Sequence, residues 1–149
     1  MSLEINIAEE IKVAMKARDN MSLEALRAIK SAIILAKTEA GAKESLAQED
    51  EIKLLQKLVK QRKDSAEIYL KQGRNDLAQP ELEQVAVIEK FLPKQLSVEE
   101  VKEAVKNIIL NGNFSGMASM GQVMGVASKE LAGKTDGKTI SAIVKELLA

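Results

Sequence analysis

Gly133-Lys134-Thr135 is the part of the sequence closest to a catalytic motif, because these residue types end the phosphate-binding loop of nucleotide-binding proteins. That loop also needs a glycine five residues before Gly133, directly after a strand. The residue there is Ser128, and it lies in a stretch with helical periodicity. The sequence therefore predicts a helix end followed by a helix start, and not a nucleotide site.

Other side chains that support catalysis are scarce. The chain has no cysteine and no histidine, which excludes cysteine nucleophiles, thiolate or imidazole metal sites and histidine-based triads. Acidic clusters at Glu9–Glu10, 49–51 and Glu99–Glu100 fall in first turns or on polar faces of predicted helices, where carboxylates interact favourably with the helix dipole. We therefore expect no catalytic residue, no metal and no cofactor.

The third predicted helix carries the one local charge excess that we identify from the sequence. It has five basic residues and no acidic residue between Ile52 and Lys63. Three of them are spaced i, i+4 and i+7, which predicts an exposed stripe that can follow a phosphate backbone. The alternative is an ordinary solvated face, since the chain has 22 basic and 22 acidic residues overall. The nucleic-acid-binding candidates of this helix are Lys53, Lys57, Lys60, Arg62 and Lys63.

A second candidate surface lies near two glycines, Gly121 and Gly125, in a helical pattern. Each glycine costs roughly 1 kcal/mol relative to alanine in a helix. We expect that this cost is offset because the glycines let another helix, or the backbone of a ligand, approach closely. Of the two, we favour another helix. Lys129, Lys134 and Lys138 give this segment a basic rim and are further nucleic-acid-binding candidates.

The same segment allows a different interpretation, in which the chain is a protein-interaction module. Met117, Met120 and Met124 are spaced so that they form an apolar strip for a partner helix. Methionine is adaptable and common on such surfaces. Methionines at helical spacing are, however, more often part of a core. Only three aromatic residues are present, too few for base-stacking platforms.

The periodicity is helical throughout and predicts an all-α protein with two domains. Residues 1–92 form a helical N-terminal domain of about four helices, and 97–149 form a three-helix domain. Capping spacings occur at Ser45/Gln48, Ser97/Glu100 and Ser119/Gln122, and Asp136 can cap the last helix. Pro80 fits best within the first turn of the fourth helix or at a small offset from it. The first predicted helix runs from Leu3 to a polar break at 17–20, and the third runs from the Ser45 cap up to Gly73. The others span about 22–40, 75–91, 98–110, 120–131 and 137–148.

The first residues lack a basic segment followed by an apolar run, so they do not resemble a signal peptide. The longest apolar run, 32–36, is far too short to span a bilayer. We therefore expect a cytoplasmic protein without a membrane association.

Five segments in this order resemble the GatB/YqeY family, specifically the stand-alone YqeY-like proteins, over nearly the whole chain. They read KQRKDS (60–65), GRNDLA (73–78), LPKQLS (92–97), MGQVM (120–124) and DGK (136–138). The chain departs from the family at Pro80, where an ordinary helix former is expected. The resemblance implies an all-α fold, with a three-helix domain similar to the C-terminal tail of GatB.

GatB is a subunit of the tRNA-dependent amidotransferase, and the resemblance implies that its tail holds the outer body of the tRNA. It implies tRNA as a partner, and an aminoacyl-tRNA synthetase or amidotransferase subunit beside it. The function expected is therefore a tRNA-binding accessory module that is not catalytic alone. The alternative is a carbon–nitrogen ligase with glutamine as amido-N-donor, the activity often assigned to the family.

Overall fold

The computed structural model describes residues 2–39 and 41–149. Within these ranges the chain forms seven α-helices, one short 3-10 helix and no strand, which confirms the prediction of an all-α fold. The chain divides into two compact units: unit 1 ends at Leu92, and unit 2 comprises Pro93–Ala149. The helices are α1 (Leu3–Ala17), α2 (Asn20–Glu39), α3 (Gln48–Lys71), α4 (Asn75–Glu89), α5 (Val98–Asn111), η1 (Met117–Ser119), α6 (Met120–Glu130) and α7 (Gly137–Leu148).

Unit 1 contains α1 to α4. The long helix α3 packs along α4, while α2 packs against both α1 and α4. Each helix contributes one fully buried aliphatic side chain or more to a shared core, including Ile7, Ile29, Leu55 and Ile88. The predicted end of α2 at Ala40 lies outside the described residues.

One prediction for unit 1, a capping box at the start of α3, is wrong, and Pro80 lies a small offset beyond the first turn of α4. Ala47 takes the N-cap position of α3 and contributes no side-chain hydrogen bond, so Ser45 and Gln48 do not form a capping box. Pro80 is the sixth residue of α4 and lies inside the helix, where its ring leaves the carbonyl of Asp76 without an intrahelical donor. The helix continues past Pro80 because Val85, Val87 and Ile88 are held in the core.

Unit 2 consists of α5, η1, α6 and α7 around a second core, whose fully buried members include Val101, Val123 and Val144. The structure confirms the capping box at the start of α5: the Ser97 hydroxyl accepts the amide of Glu100 at 3.2 Å, and the Glu100 carboxylate accepts the amide of Ser97. It also confirms Asp136 as the cap of α7. The Ser119 cap is wrong, because that hydroxyl donates back to a carbonyl in the preceding loop.

Candidate nucleic-acid interface

The connection between α6 and α7 brings three of the predicted lysines to one end of unit 2. Lys129 lies in the last turn of α6, Lys134 in the α6–α7 loop (residues 131–136) and Lys138 in the first turn of α7. All three are exposed. None of them forms an ion pair within residues 2–39 and 41–149. Their positive charges are therefore available to an anion in solution.

The backbone of the α6–α7 loop has a defined shape. Gly133 is buried and has a φ of +78°, a conformation that favours glycine. The amide of Lys134 donates to the carbonyl of Leu131 at 3.0 Å. The carboxylate of Asp136 then accepts the amide of Thr139 at 2.7 Å and starts α7. The loop therefore presents Lys134 from a backbone that is hydrogen-bonded on both sides.

The α3 lysines divide into paired and unpaired residues. Lys53 and Lys57 are exposed and form no ion pair with any other described residue. Lys60 lies beside them, but its Nζ is 2.8 Å from Asp64. Lys63 pairs with Glu89 of α4 at 3.4 Å. The predicted stripe is thus exposed, while its charge is partly balanced by neighbouring carboxylates.

Arg62 does not lie on this stripe. It is half-buried, and its Nε donates to Oε1 of Gln84 at 2.8 Å while its Nη1 donates to the carbonyl of Leu58 at 3.1 Å. Its spacing already indicated this position, because Arg62 follows the core residues Leu55 and Val59 by seven and three residues. Arg62 therefore links α3 to α4, apart from the lysine stripe with which it was grouped.

The two glycines of α6 have open surroundings. A Cβ built on Gly121 or Gly125 meets no atom within 4 Å, and both residues are exposed. The prediction that another helix packs against them is therefore wrong for this structure. That a ligand backbone approaches α6 closely at these two glycines remains a prediction.

The methionine strip is mostly part of the core of unit 2. Met120 and Met124 are partly buried and pack against that core, and Met117 alone of the three is exposed, at 49%. A continuous apolar surface for a partner helix is therefore absent at these three residues.

One set of exposed cations was missed in the sequence. Residues 12–37 contain six basic and two acidic residues, so the statement that α3 carries the one local charge excess is wrong. Five of these basic residues are exposed and form no ion pair with any other described residue. A charge count over the window 12–37 finds them, although six basic residues balance six acidic ones over residues 3–39 as a whole. The five exposed cations are Lys12, Lys16, Arg18, Arg27 and Lys30.

An open cleft of about 300 Å³ lies between the start of α1, α2 and residues 44–46. Its lining is mainly apolar, and two of its three carboxylates have structural partners. Glu4 pairs with Lys37 at 2.9 Å, and Glu51 accepts the amide of Leu3 at 3.1 Å. Glu44 is exposed. The cleft does not bring together an acid and a base with a substrate-sized gap between them.

Three groups at helix ends in unit 1 have pKa values that move from their ordinary range. Hydrogen bonds from the Ser22 hydroxyl and amide lower the pKa of Asp19 at the start of α2. The hydrogen-bonded pair between Arg74 and Asp76 raises the pKa of the first and lowers that of the second. In the described ranges, no cluster of three or more acidic residues is arranged to hold a metal ion, and no helix is long and apolar enough to cross a membrane.

Comparison with known families shows which class of protein this all-α chain belongs to. A family model for YqeY-like proteins matches residues 4–148, so the chain belongs to this family, and the resemblance found in the sequence is confirmed. The chain is 34% identical over 102 residues to altered inheritance of mitochondria protein 41, mitochondrial, of Clavispora lusitaniae, covering 67% of this chain and 58% of that protein.

A second relative is the protein of the same name from Lachancea thermotolerans. It is 32% identical over 108 residues, which cover 70% of this chain and 56% of the relative. The chain thus spans somewhat more than half the length of the curated relatives that it matches. Both relatives are named as mitochondrial proteins.

Proposed function

We propose that this protein is a tRNA-binding accessory module that contacts the RNA through the lysines around the α6–α7 loop. The observation that carries the proposal is that Lys129, Lys134 and Lys138 are exposed and without ion pairs among the described residues. Helix ends and a short loop hold them at one end of unit 2. Lysines so placed bind phosphates as point charges.

The charge and composition favour recognition of a folded RNA by its shape and phosphates. Formal net charge is zero and aromatic residues make up 2% of the chain, so neither a strong overall field nor stacking on aromatic rings is available. Phosphate contacts fix position without reading bases, and folded RNA is recognised largely by shape and backbone. The binding we propose is modest in affinity and strongly dependent on salt.

Membership in the YqeY-like family supports the choice of tRNA. The resemblance implies that unit 2 is similar to the tail of GatB, which holds the outer body of tRNA. On this proposal the partners are tRNA and an aminoacyl-tRNA synthetase or amidotransferase subunit that acts on the same tRNA. We further propose a cytoplasmic location for this chain.

The proposal is tested by the retardation of labelled tRNA by the purified protein, with Lys134→Gln and Lys138→Gln as variants. The matched control is Lys102→Gln, which removes a lysine of the same unit whose charge Glu146 already balances at 3.1 Å. We expect both loop variants to weaken binding and the control to leave it unchanged. Undetectable binding by the unaltered protein at tens of micromolar would overturn the proposal.

We propose that the chain makes no bond in the amidation reaction by itself. The test is incubation of the purified protein with misacylated tRNA, ATP and glutamine, followed by analysis of the amino acid on the tRNA. We expect amide formation only when the amidotransferase subunits are added. Turnover by the isolated chain would instead establish the carbon–nitrogen ligase alternative.

A further inference from the structure

The segment before α5 is hydrogen-bonded to the α6–α7 loop. We call residues 93–97 the strap. The side-chain amide of Gln95 in the strap donates to two carbonyl oxygens, that of Pro93 at 2.9 Å and that of Gly133 at 2.7 Å. One residue further on, the amide of Leu96 donates to the carbonyl of Lys134 at 2.9 Å. Two successive carbonyls of the loop are thus bound to the strap.

These bonds restrict the backbone on both sides of the Lys134 Cα. Its amide is bound to the carbonyl of Leu131, and its own carbonyl to Leu96. The preceding peptide is bound through Gly133 to Gln95. The Lys134 side chain itself remains exposed. A lysine on a fixed backbone has less freedom to lose when it contacts a phosphate, which favours binding.

Gln95 suits this task because of its chemistry. An amide NH₂ supplies two donors, and both are used here on carbonyl oxygens. An ionised glutamate at this position could only accept hydrogen bonds and would repel the two carbonyls. Gln95 is partly buried and carries no charge, so its own contribution to the attraction of RNA is negligible.

We infer that Gln95 is a positioning residue of the tRNA interface, which acts by fixing the loop backbone that presents Lys134. This inference rests on the proposed function. It gives the LPKQLS segment (92–97), whose Ser97 caps α5, a role in binding as well. It also separates two contributions to affinity: Lys134 provides charge, and Gln95 provides the conformation from which that charge acts.

The experiment compares tRNA binding by the full-length protein and by Gln95→Met, which keeps the length of the side chain and removes both donors. Gln95→Asn, too short to reach the Gly133 carbonyl, is the second variant. Gln72→Met is the matched control, because Gln72 is an exposed glutamine at the end of α3. We expect Gln95→Met to weaken binding about threefold, the size expected for ordering one long side chain, and Gln72→Met to leave it unchanged.

A double-mutant cycle separates positioning from a general effect on the fold. In a Lys134→Gln background we expect Gln95→Met to have almost no further effect, because the side chain that it positions is already absent. Amide hydrogen exchange at Leu96, which donates to the loop, should become faster in Gln95→Met while the core of unit 2 stays protected.

Three results would contradict the inference in different ways. Absence of tRNA binding by the unaltered protein overturns the proposed function and this inference together. Binding that is weakened by Lys134→Gln but unaffected by Gln95→Met or Gln95→Asn overturns the positioning role alone. An equal loss from Gln95→Met with and without Lys134 also overturns it, since that loss would reflect the fold of unit 2.

Discussion

At the scale of single residues, the proposed binding of tRNA requires lysines whose charge no carboxylate balances. Lys60 is exposed, yet Asp64 lies 2.8 Å from its Nζ. Exposed pairs of this kind contribute at most about 1 kcal/mol to stability, but a phosphate must compete with the carboxylate for the lysine. Lys129, Lys134 and Lys138 form no ion pair with another described residue, so no paired carboxylate competes with a phosphate for them.

Arg62 is predicted to stabilise the fold and not to contribute to the binding of tRNA. Replacement by Met leaves the 9%-exposed Gln84 without its guanidinium partner, and we expect a loss of about 1–3 kcal/mol in the free energy of unfolding, measured by urea denaturation. Lys57→Met, on the exposed face, should change stability by less than about 0.5 kcal/mol. A stable Arg62→Met protein that binds tRNA more weakly would contradict this assignment.

The lowered pKa of Asp19 leads to a prediction of how the free energy of unfolding changes with pH. Ser22 lowers the pKa of this carboxyl in the folded state, so its contribution is present above the unfolded value of about 3.9 and is lost as the pH falls through the folded pKa. We expect the difference in unfolding free energy between the unaltered protein and Asp19→Asn to be larger at pH 7 than at pH 3. A difference that does not change with pH would show that the charge of Asp19 adds nothing to its hydrogen bonds with Ser22.

At the scale of elements, α6 contains a glycine that no packing explains. Gly125 lies mid-helix with open space around it, so Gly125→Ala should stabilise the protein by about 1 kcal/mol, measured by thermal unfolding. We expect the same variant to bind tRNA more weakly, because the added methyl group keeps the RNA backbone away from α6. Ser128→Ala, also exposed on α6, adds no new Cβ and is the control. If Gly125→Ala binds tRNA as tightly as the unaltered protein, Gly125 does not lie in the interface.

Helix caps show where local patterns suffice and where they do not. Ser97/Glu100 and Asp136 cap their helices as the spacing predicts. At Ser119 the same spacing fails: the preceding residues form a 3-10 turn, and the hydroxyl donates to Ser115 instead. Pro80 is tolerated inside α4 because tertiary packing holds that helix, which single-sequence periodicity does not express.

At the scale of the whole molecule, the two units have separate hydrophobic cores. Unit 2 has 57 residues, from Pro93 to Ala149, a length at which many domains fold alone. We predict that a 93–149 fragment shows cooperative thermal unfolding and retains most of the tRNA affinity. A fragment 1–92 that binds as tightly as the full chain, while folded 93–149 does not bind, would place the interface on unit 1.

The sequence predicts the helices and the exposed lysines better than it predicts their partners. Spacing indicates that Lys53 and Lys57 face outward, but not that Glu89 of α4 meets Lys63, because that contact depends on how two helices pack. The hydrogen bond from Gln95 to the Gly133 carbonyl in the α6–α7 loop joins residues 38 positions apart, and no local pattern predicts it. The exposed cations within residues 12–37 are found only by a charge count over that window, because acidic residues nearer the two ends of 3–39 balance them.

The salt dependence of tRNA binding tests the central claim most directly. It should be measured on the full-length protein and on a variant with Lys129, Lys134 and Lys138 all replaced by Gln. Each phosphate contact that is lost lowers the slope of log K against log salt by about 1. We predict a linear fall in log K for the unaltered protein and a slope shallower by about 3 in the triple variant. Equal slopes in the two proteins, or binding that salt does not weaken, would contradict the account.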